Sequence, residues 1–467
     1  MADTSLFPPA TEDAWRALVA KTLGEAPFSS LEKTTAEGLP IAPLYPQAEA
    51  PARFPTRPVS AERAWDLRAL TTHPEPGRAN AEILADLEGG AASALVRIDP
   101  TGQAGVAVGS ADGLARVLGG VILELAPVAL DAGYLGPKAA DWLGSVAKAS
   151  PGAKLRFHMD PLSSFAETGH SPGPIESHMV SAATVGVRLA ETYPQAQLFL
   201  ASGRAVHEAG GGEALEVAFA AASAIAYAKA LVRAGLPVGE AFARITLGLS
   251  ADAEYLLTIA KLRAARAVFA RVATACGAEP AARIEARSSR RMLAVRDAWT
   301  NMIRLTAAGF GAAVGGADAV VLGNFTDSIG LPTAFARRQS RNTQLVLMEE
   351  AHVGRVADPA AGSGYIEAMT DRIARAAWES LQAIEAAGGV PRALANGSIA
   401  REVAAARAAR PEPRLVGVNA FPPDKESPVE VERAEPRAVE APSPALPGPD
   451  GDAVPLRPIR LAEAFEA

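Results

Sequence analysis

From about residue 90 onward the chain alternates between short runs of Val, Ile, Leu and Phe and longer stretches whose apolar positions recur every three to four residues. The first rhythm is that of a buried strand, the second that of a helix packed along one face. Eight runs read as strands: ALVRID (94–99), PVALD (127–131), LRFHMD (155–160), QLFLAS (197–202), RITLGLS (244–250), ARIEARSS (282–289), AVVLGNF (319–325) and GRVAD (354–358). Between them lie helical stretches such as GLARVLGGVI, PKAADWLGSVAKA and NMIRLTAAGFGAAVGG, each long enough to cross back over a sheet. Strands that alternate with helices lead to a parallel sheet of the α/β class. Eight such units in about 270 residues match a (β/α)8 TIM barrel, with IEAMTDRIARAAWESLQAIEAAGG as its closing helix. An open doubly wound sheet is the second topology that this count allows.

The pattern is different at both ends. Residues 1–60 read as an N-terminal arm for subunit contact, with a short amphipathic helix from Thr11 to Leu23 and then the proline-rich GLPIAPLYP and APARFPTRP. The barrel takes residues 61–410. Residues 411–467 carry a proline every few positions and few large apolar side chains, so they read as a disordered tail that cannot bury enough surface to fold alone. Inside the barrel, ASGRAVHEAGGGEALEVAFAAASAIAYAKAL (201–231) joins a histidine beside a glycine run to a nearly charge-free helix. Its charge-free part, Val217 to Ala228, is shorter than the ~20 residues of a membrane span and reads as a buried helix.

Composition narrows the function classes. Hydrophobic residues make up 49% of the 467 positions but aromatics only 5%, so the core is built from small side chains that let backbones approach closely. The net charge is −7 and no Lys/Arg block stands out, which argues against nucleic acid or a membrane surface as partner. Cys276 is the only cysteine, so the chain forms no internal disulfide and no cysteine-based metal site. With a first segment lacking the pattern of a signal peptide, this points to the cytoplasm.

In a barrel, chemistry sits at the carboxyl ends of the strands. The predicted ends carry Asp99, Asp131, Asp160, Ser202, Ser250, Ser288, Asn324 and Asp358. Several acids on one rim suit acid–base or metal work. The bland reading is that Asp before Pro, as at Asp99, Asp160 and Asp358, caps the next helix or fixes a turn. His158 and His207 fall at the same end, where an imidazole can move protons near neutral pH or serve only as a hydrogen-bonded rim residue. DPAAGSGYIE (358–367) is a glycine-rich entry to a helix that suits either a phosphate or a tight turn at Gly362 and Gly364. Arg337, Arg338 and Arg341 share two turns of helix, a solvated face or a subunit contact.

Several stretches together resemble one family. GLPIAPLYP, AWDLRAL, IAKLRAARAVFARV, the block from GNFTDSIGLPTAFARRQSRNTQ through DPAAGSGYIE, and LVGVNAFPP are similar to the adenosylcobalamin-dependent acyl-CoA mutases, above all methylmalonyl-CoA mutase, over about Phe7 to residue 423. The resemblance implies a (β/α)8 barrel threaded along its axis by a CoA ester, with small inward side chains leaving room. It also implies radical isomerisation between methylmalonyl-CoA and succinyl-CoA.

Within that resemblance the catalytic groups fail to match. The family histidine that contacts the thioester carbonyl falls on Ala205, its neighbouring tyrosine on Arg204, and a glutamine on His207. A substrate arginine falls at or beside Ile284, and the family's HTQSLHTN becomes ADAVVLGN, Ala317 to Asn324. None of the six histidines stands in the D-x-H-x-x-G cobalamin signature; His352 in EEAHVGRV comes nearest. PIRLAEAFEA is similar to the linker that precedes the family's cobalamin domain. The resemblance therefore implies the small, non-catalytic subunit of a heterodimeric mutase, paired with a catalytic subunit that holds adenosylcobalamin. No residue is assigned to catalysis, cofactor or metal, and His207 is retained only as a candidate. A self-sufficient barrel served by a separate cobalamin protein is the alternative.

Overall fold

The computed structural model describes residues 11–47, 54–60, 62–440 and 453–466. A small antiparallel hairpin, β1 (Lys33–Thr34) with β2 (Pro40–Ile41), precedes eight parallel strands. These are β3 (Asp66–Thr71), β4 (Ser93–Arg97), β5 (Val128–Asp131), β6 (Arg156–Met159), β7 (Gln197–Ser202), β8 (Ile245–Ala251), β9 (Ile284–Ser288) and β10 (Ala319–Val321). They close in chain order, with β10 pairing back onto β3, so the fold is the expected (β/α)8 barrel. The helices are α1 (Glu12–Leu23), α2 (Pro76–Glu88), α3 (Ala111–Val117), α4 (Gly136–Val146), α5 (Pro161–Thr168), α6 (Ile175–Thr192), α7 (Arg204–Glu208), α8 (Glu213–Arg233), α9 (Val238–Ala243), α10 (Tyr255–Ala275), α11 (Asn301–Val314), α12 (Ala334–Leu345), α13 (Gly364–Ala386), α14 (Val390–Ala395) and α15 (Ser398–Ala409).

Seven of the eight expected strands are present and one is exchanged. GRVAD (354–358) is not a strand: Val353–Arg355 is a single 3₁₀ turn, and Val356 stays 57% exposed. The missing strand is β3, in AWDLRAL, whose Asp66 and Arg68 broke the apolar run that marks a buried strand. Those charges point into the barrel, where each finds a partner.

The outward faces of the strands, with Val96, Leu130, Phe157, Leu198 and Ile284, pack under the helices in one continuous core. Helix α8 is apolar on nearly every side because it packs on β7 and β8 beneath and is covered by α10 and α13. It is long and apolar enough to cross a bilayer, yet 72% of its most apolar window is buried in the protein.

Both ends adhere to the barrel. The α1 helix begins with Thr11 Oγ1 accepting from Ala14 N and buries none of its own residues. The rest of the arm is strapped down. Glu37 accepts from the Ala214 and Leu215 amides at the start of α8, both at 2.9 Å. Arg372 donates to the Tyr45 hydroxyl at 2.9 Å, and Arg57 Nη1 donates to the Ala317 carbonyl at 2.7 Å.

The tail corrects the expectation of disorder over residues 411–440 and 453–466. It borrows backbone partners from the loops after the strands: Glu432 N donates to Leu331 O (2.9 Å), Val439 N to Pro100 O (2.8 Å) and Leu456 N to Ala166 O (2.8 Å). Ile459 N donates to Glu208 O (2.8 Å) and Leu461 N to Arg291 O (2.9 Å). A segment too poor in apolar residues to fold alone is ordered here by a rim that supplies its hydrogen bonds.

Candidate functional site

Alternation along the strands turns Arg68, Asp131, His158, Glu285 and Arg287 toward the barrel interior. Arg68 bonds Glu285, donates to Ser93 Oγ at 3.0 Å and pairs with Asp66 at 2.6 Å. Arg287 donates from Nε to Glu285 Oε1 at 2.6 Å and from Nη1 to Asp131 Oδ2 at 2.7 Å. Strands β5 and β9 are diametrically opposite in the closed ring, so this last pair spans its full width. Leu95, Ala129 and Val321, with Leu70, form a separate small apolar cluster.

The electrostatics follow from packing charges where water is scarce. Burial is the largest influence on Asp131 and pushes its carboxyl up, but Arg287 and Arg97 outweigh it and hold it down at about 2. Burial acts likewise on Glu285, which Arg287 and Arg68 hold far below the usual carboxylate range. Burial drives His158 the other way, down to about 3, leaving a neutral ring 3.7 Å from Glu285.

This corrects the expectation of an axis lined by small apolar groups. Ile284, where the family arginine was expected to be lost, faces outward into the core. Three positions further along the same strand, Arg287 supplies a guanidinium to the axis, and that guanidinium is engaged by Glu285 and Asp131. The barrel is barred by an ion pair.

Above the bar, at the carboxyl ends of the strands, lies a cavity of about 1330 Å³, roofed by tail residues including Pro436, Leu456 and Ile459. Of the rim residues read from sequence, Asp99, Asp131, Asp160, Ser202, Ser288 and Asn324 line it. Most serve local structure. Asp99 accepts from the Thr101, Gln103 and Ala104 amides at 2.8 to 3.1 Å. Asp160 caps α5 through Ser163 N and accepts from the Tyr227 hydroxyl at 2.5 Å; burial raises it to about 7. Ser288 Oγ accepts from Gly323 N at 2.7 Å. Ser250 is wholly buried, and Asp358 pairs with Arg263 in the outer layer at 2.9 Å.

His207 and His158 do not share a site. His158 lines the cavity, whereas His207 is sealed behind its wall, fully buried in α7. His207 Nδ1 lies 3.2 Å from Glu216 and Nε2 lies 3.4 Å from Asp252. Lys261, 1% exposed, pairs with Glu216 at 2.6 Å, and fully buried Arg291 pairs with Asp252 at 2.8 Å. Potential metal-ligand atoms of His207, Glu213 and Asp252 lie within 4.8 Å of one another, but these cations already supply positive charge there.

The remaining motifs are also internal. Arg337 is buried against Glu82 and Asp86, and Arg341 bonds Asp86, tying α12 to α2, whereas Arg338 is exposed. In DPAAGSGYIE, Gly362 has φ +83°, and a Cβ on Gly364 would lie 1.9 Å from the Pro46 carbonyl of the arm. These glycines make a turn and a close approach. Sequence reasoning missed Arg68, Arg97, Glu285, Arg287 and Lys261. The signal for the strand residues was present in IEARS, where Glu285 and Arg287 alternate with Ile284 and Ala286.

A family model described as methylmalonyl-CoA mutase matches residues 52–443. The methylmalonyl-CoA mutase small subunit of Streptomyces virginiae is 38% identical over 491 residues, covering 98% of this chain and 76% of that protein. A probable methylmalonyl-CoA mutase small subunit of Mycobacterium bovis is 38% identical, covering 86% of this chain and 68% of that protein. The small subunit of Propionibacterium freudenreichii subsp. shermanii is 34% identical over 86% of this chain and 66% of its own length.

Proposed function

Because the chain belongs to the methylmalonyl-CoA mutase family, we propose that it is the non-catalytic small subunit of such an isomerase. It pairs in the cytoplasm with a catalytic subunit that carries out the interconversion of methylmalonyl-CoA and succinyl-CoA. The observation that carries this reading is the Arg287–Asp131 pair across the ring, because a thioester cannot run down an axis that two joined side chains occupy. The names of its relatives support the same reading. At the position aligned with the family's thioester-binding histidine, Ala205 offers the cavity only a methyl group. Loss of a donor that stabilises developing charge typically costs about 3 kcal/mol of transition-state stabilisation.

The described residues do not fit adenosylcobalamin. The cavity is roofed by the tail, and the one imidazole that lines it, His158, has a fully buried side chain beside Glu285. The corrinoid, which supplies radical chemistry when bound, belongs in this reading to the partner. What this chain contributes is a barrel whose axis is closed by its own ion pairs. The exposed α1 helix, with Leu18 65% exposed, supports an arm available to that partner.

Affinity purification of the chain from its native cytosol, followed by mass identification, tests the pairing. A stoichiometric mutase catalytic subunit is expected. Recovery of the chain without one, together with a separate corrinoid protein, would favour a self-sufficient barrel.

A further inference from the structure

The cavity above the Arg287–Asp131 pair is lined by both acids and arginines, and several guanidinium groups in its wall keep donors without a partner among the described residues. Asp131 pairs with Arg287 at 2.7 Å, Asp160 accepts from Tyr227 at 2.5 Å, and Glu432 is engaged by Arg78. Asp327 accepts from the Asn324 amide at 3.0 Å. Burial raises Glu167 toward its neutral form.

Three guanidinium groups, on β4, at the start of α7 and on β9, each keep at least one donor free among the described residues. Arg97 closes β4 and makes no side-chain hydrogen bond or ion pair among the described residues. Arg204, which opens α7, pairs only loosely with Glu208 at 4.0 Å, and its buried Nε has no partner among the described residues. Arg287 is bonded to Glu285 and Asp131 and is only 5% exposed, yet its Nη2 has no partner among the described residues. All three line this one cavity.

Such an arrangement is costly unless something answers it. Burial pulls Arg204 below its ordinary value, and the like charge of Arg287 adds to the effect. Guanidinium groups withdrawn from water need acceptors, and their planar donors match carboxylate and phosphate oxygens. Tyr134, Leu135 and Ile459 give the same cavity apolar surface, the usual setting for a few convergent polar groups.

We propose that this cavity binds a small organic polyanion, a molecule with two or more carboxylate or phosphate groups, through Arg97, Arg204 and Arg287. The ion pair beneath confines the ligand to the mouth, so the site is distinct from a thioester channel along the axis. Neither the site nor its test depends on the subunit assignment.

The test is titration calorimetry on the full chain with citrate and with pyrophosphate, at ionic strength held constant with sodium chloride. At least one is expected to bind saturably at one per chain and to raise the melting temperature. The preference between them identifies carboxylate or phosphate as the natural group. Arg97→Gln and Arg204→Gln are each expected to weaken binding tenfold or more. Arg97→Gln removes no hydrogen bond, so it reports on binding even if the second variant folds poorly. Exposed Arg375→Gln serves as the control and should change nothing. Failure of both anions to bind saturably at millimolar concentration, or undiminished binding by Arg97→Gln, overturns the proposal.

Discussion

Arg287 and Asp131 stand on strands at opposite sides of an eight-membered ring, yet Nη1 of the first lies 2.7 Å from Oδ2 of the second. Two side chains thus cross a space that neighbouring strands cannot bridge. Glu285 anchors the pair from the β9 side at 2.6 Å, and Arg68 anchors Glu285 from β3. The interior is therefore held by alternating charges, and each depends on the next.

Removing one member should leave an uncompensated buried charge. Glu285→Gln is expected to destabilise the chain by about 3–5 kcal/mol, because two guanidinium groups lose their shared carboxylate. Urea unfolding measures this directly. A loss below about 1 kcal/mol would mean that the network contributes little.

The His207 cluster predicts stability without catalysis. Lys261→Met strands Glu216 and should cost about 3–5 kcal/mol. His207→Ala should lower the melting temperature while leaving turnover per assembled complex unchanged. A fall in turnover for fully assembled His207→Ala would make the imidazole catalytic after all.

Stability should peak on the acid side of neutrality. Asp131 and Glu216 sit at about 2 when folded: burial opposes this, but Arg287 in one case and Lys261 in the other outweigh it. Their contribution is complete above the unfolded carboxylate value and is lost as pH falls through about 2. Glu37, Glu82 and Asp160 are raised by burial to about 7, so each weakens the fold as pH rises from the unfolded value through about 7. Together these put the maximum near pH 5. Denaturant midpoints between pH 3 and about 8 check the shape, and a steady rise in stability to pH 8 would contradict it.

The two halves of the arm should separate experimentally. Deleting residues 1–32 removes α1, none of whose residues is buried, together with Phe28, on which its Trp15 packs, so barrel stability should hold while affinity for the partner falls. Gly364→Ala should instead release the strapped half, because its Cβ meets the Pro46 carbonyl at 1.9 Å. Faster proteolysis between residues 33 and 60 is the expected readout.

Much of this was legible in the sequence, for definable reasons. Strands β4 to β10 announce themselves because their outward residues, such as Val96, Leu130 and Leu198, must be apolar to pack under helices. Strand β3 did not, because Asp66 and Arg68 are charged at inward positions, and only the closed ring shows that Glu285 and Ser93 receive them. The barred axis was illegible for a similar reason: Arg287 and Asp131 are 156 residues apart, and nothing local marks them as partners. Composition also misjudged the tail, because its order resides in acceptors such as Glu208 O and Ala166 O, which belong to the barrel rim.

The most direct test of the central claim is turnover by the purified chain. Supplied with methylmalonyl-CoA and adenosylcobalamin, it should form no succinyl-CoA alone or with a corrinoid carrier protein, and activity should appear only when a catalytic mutase subunit is added. Succinyl-CoA formed by this chain with only a carrier protein present would contradict the account.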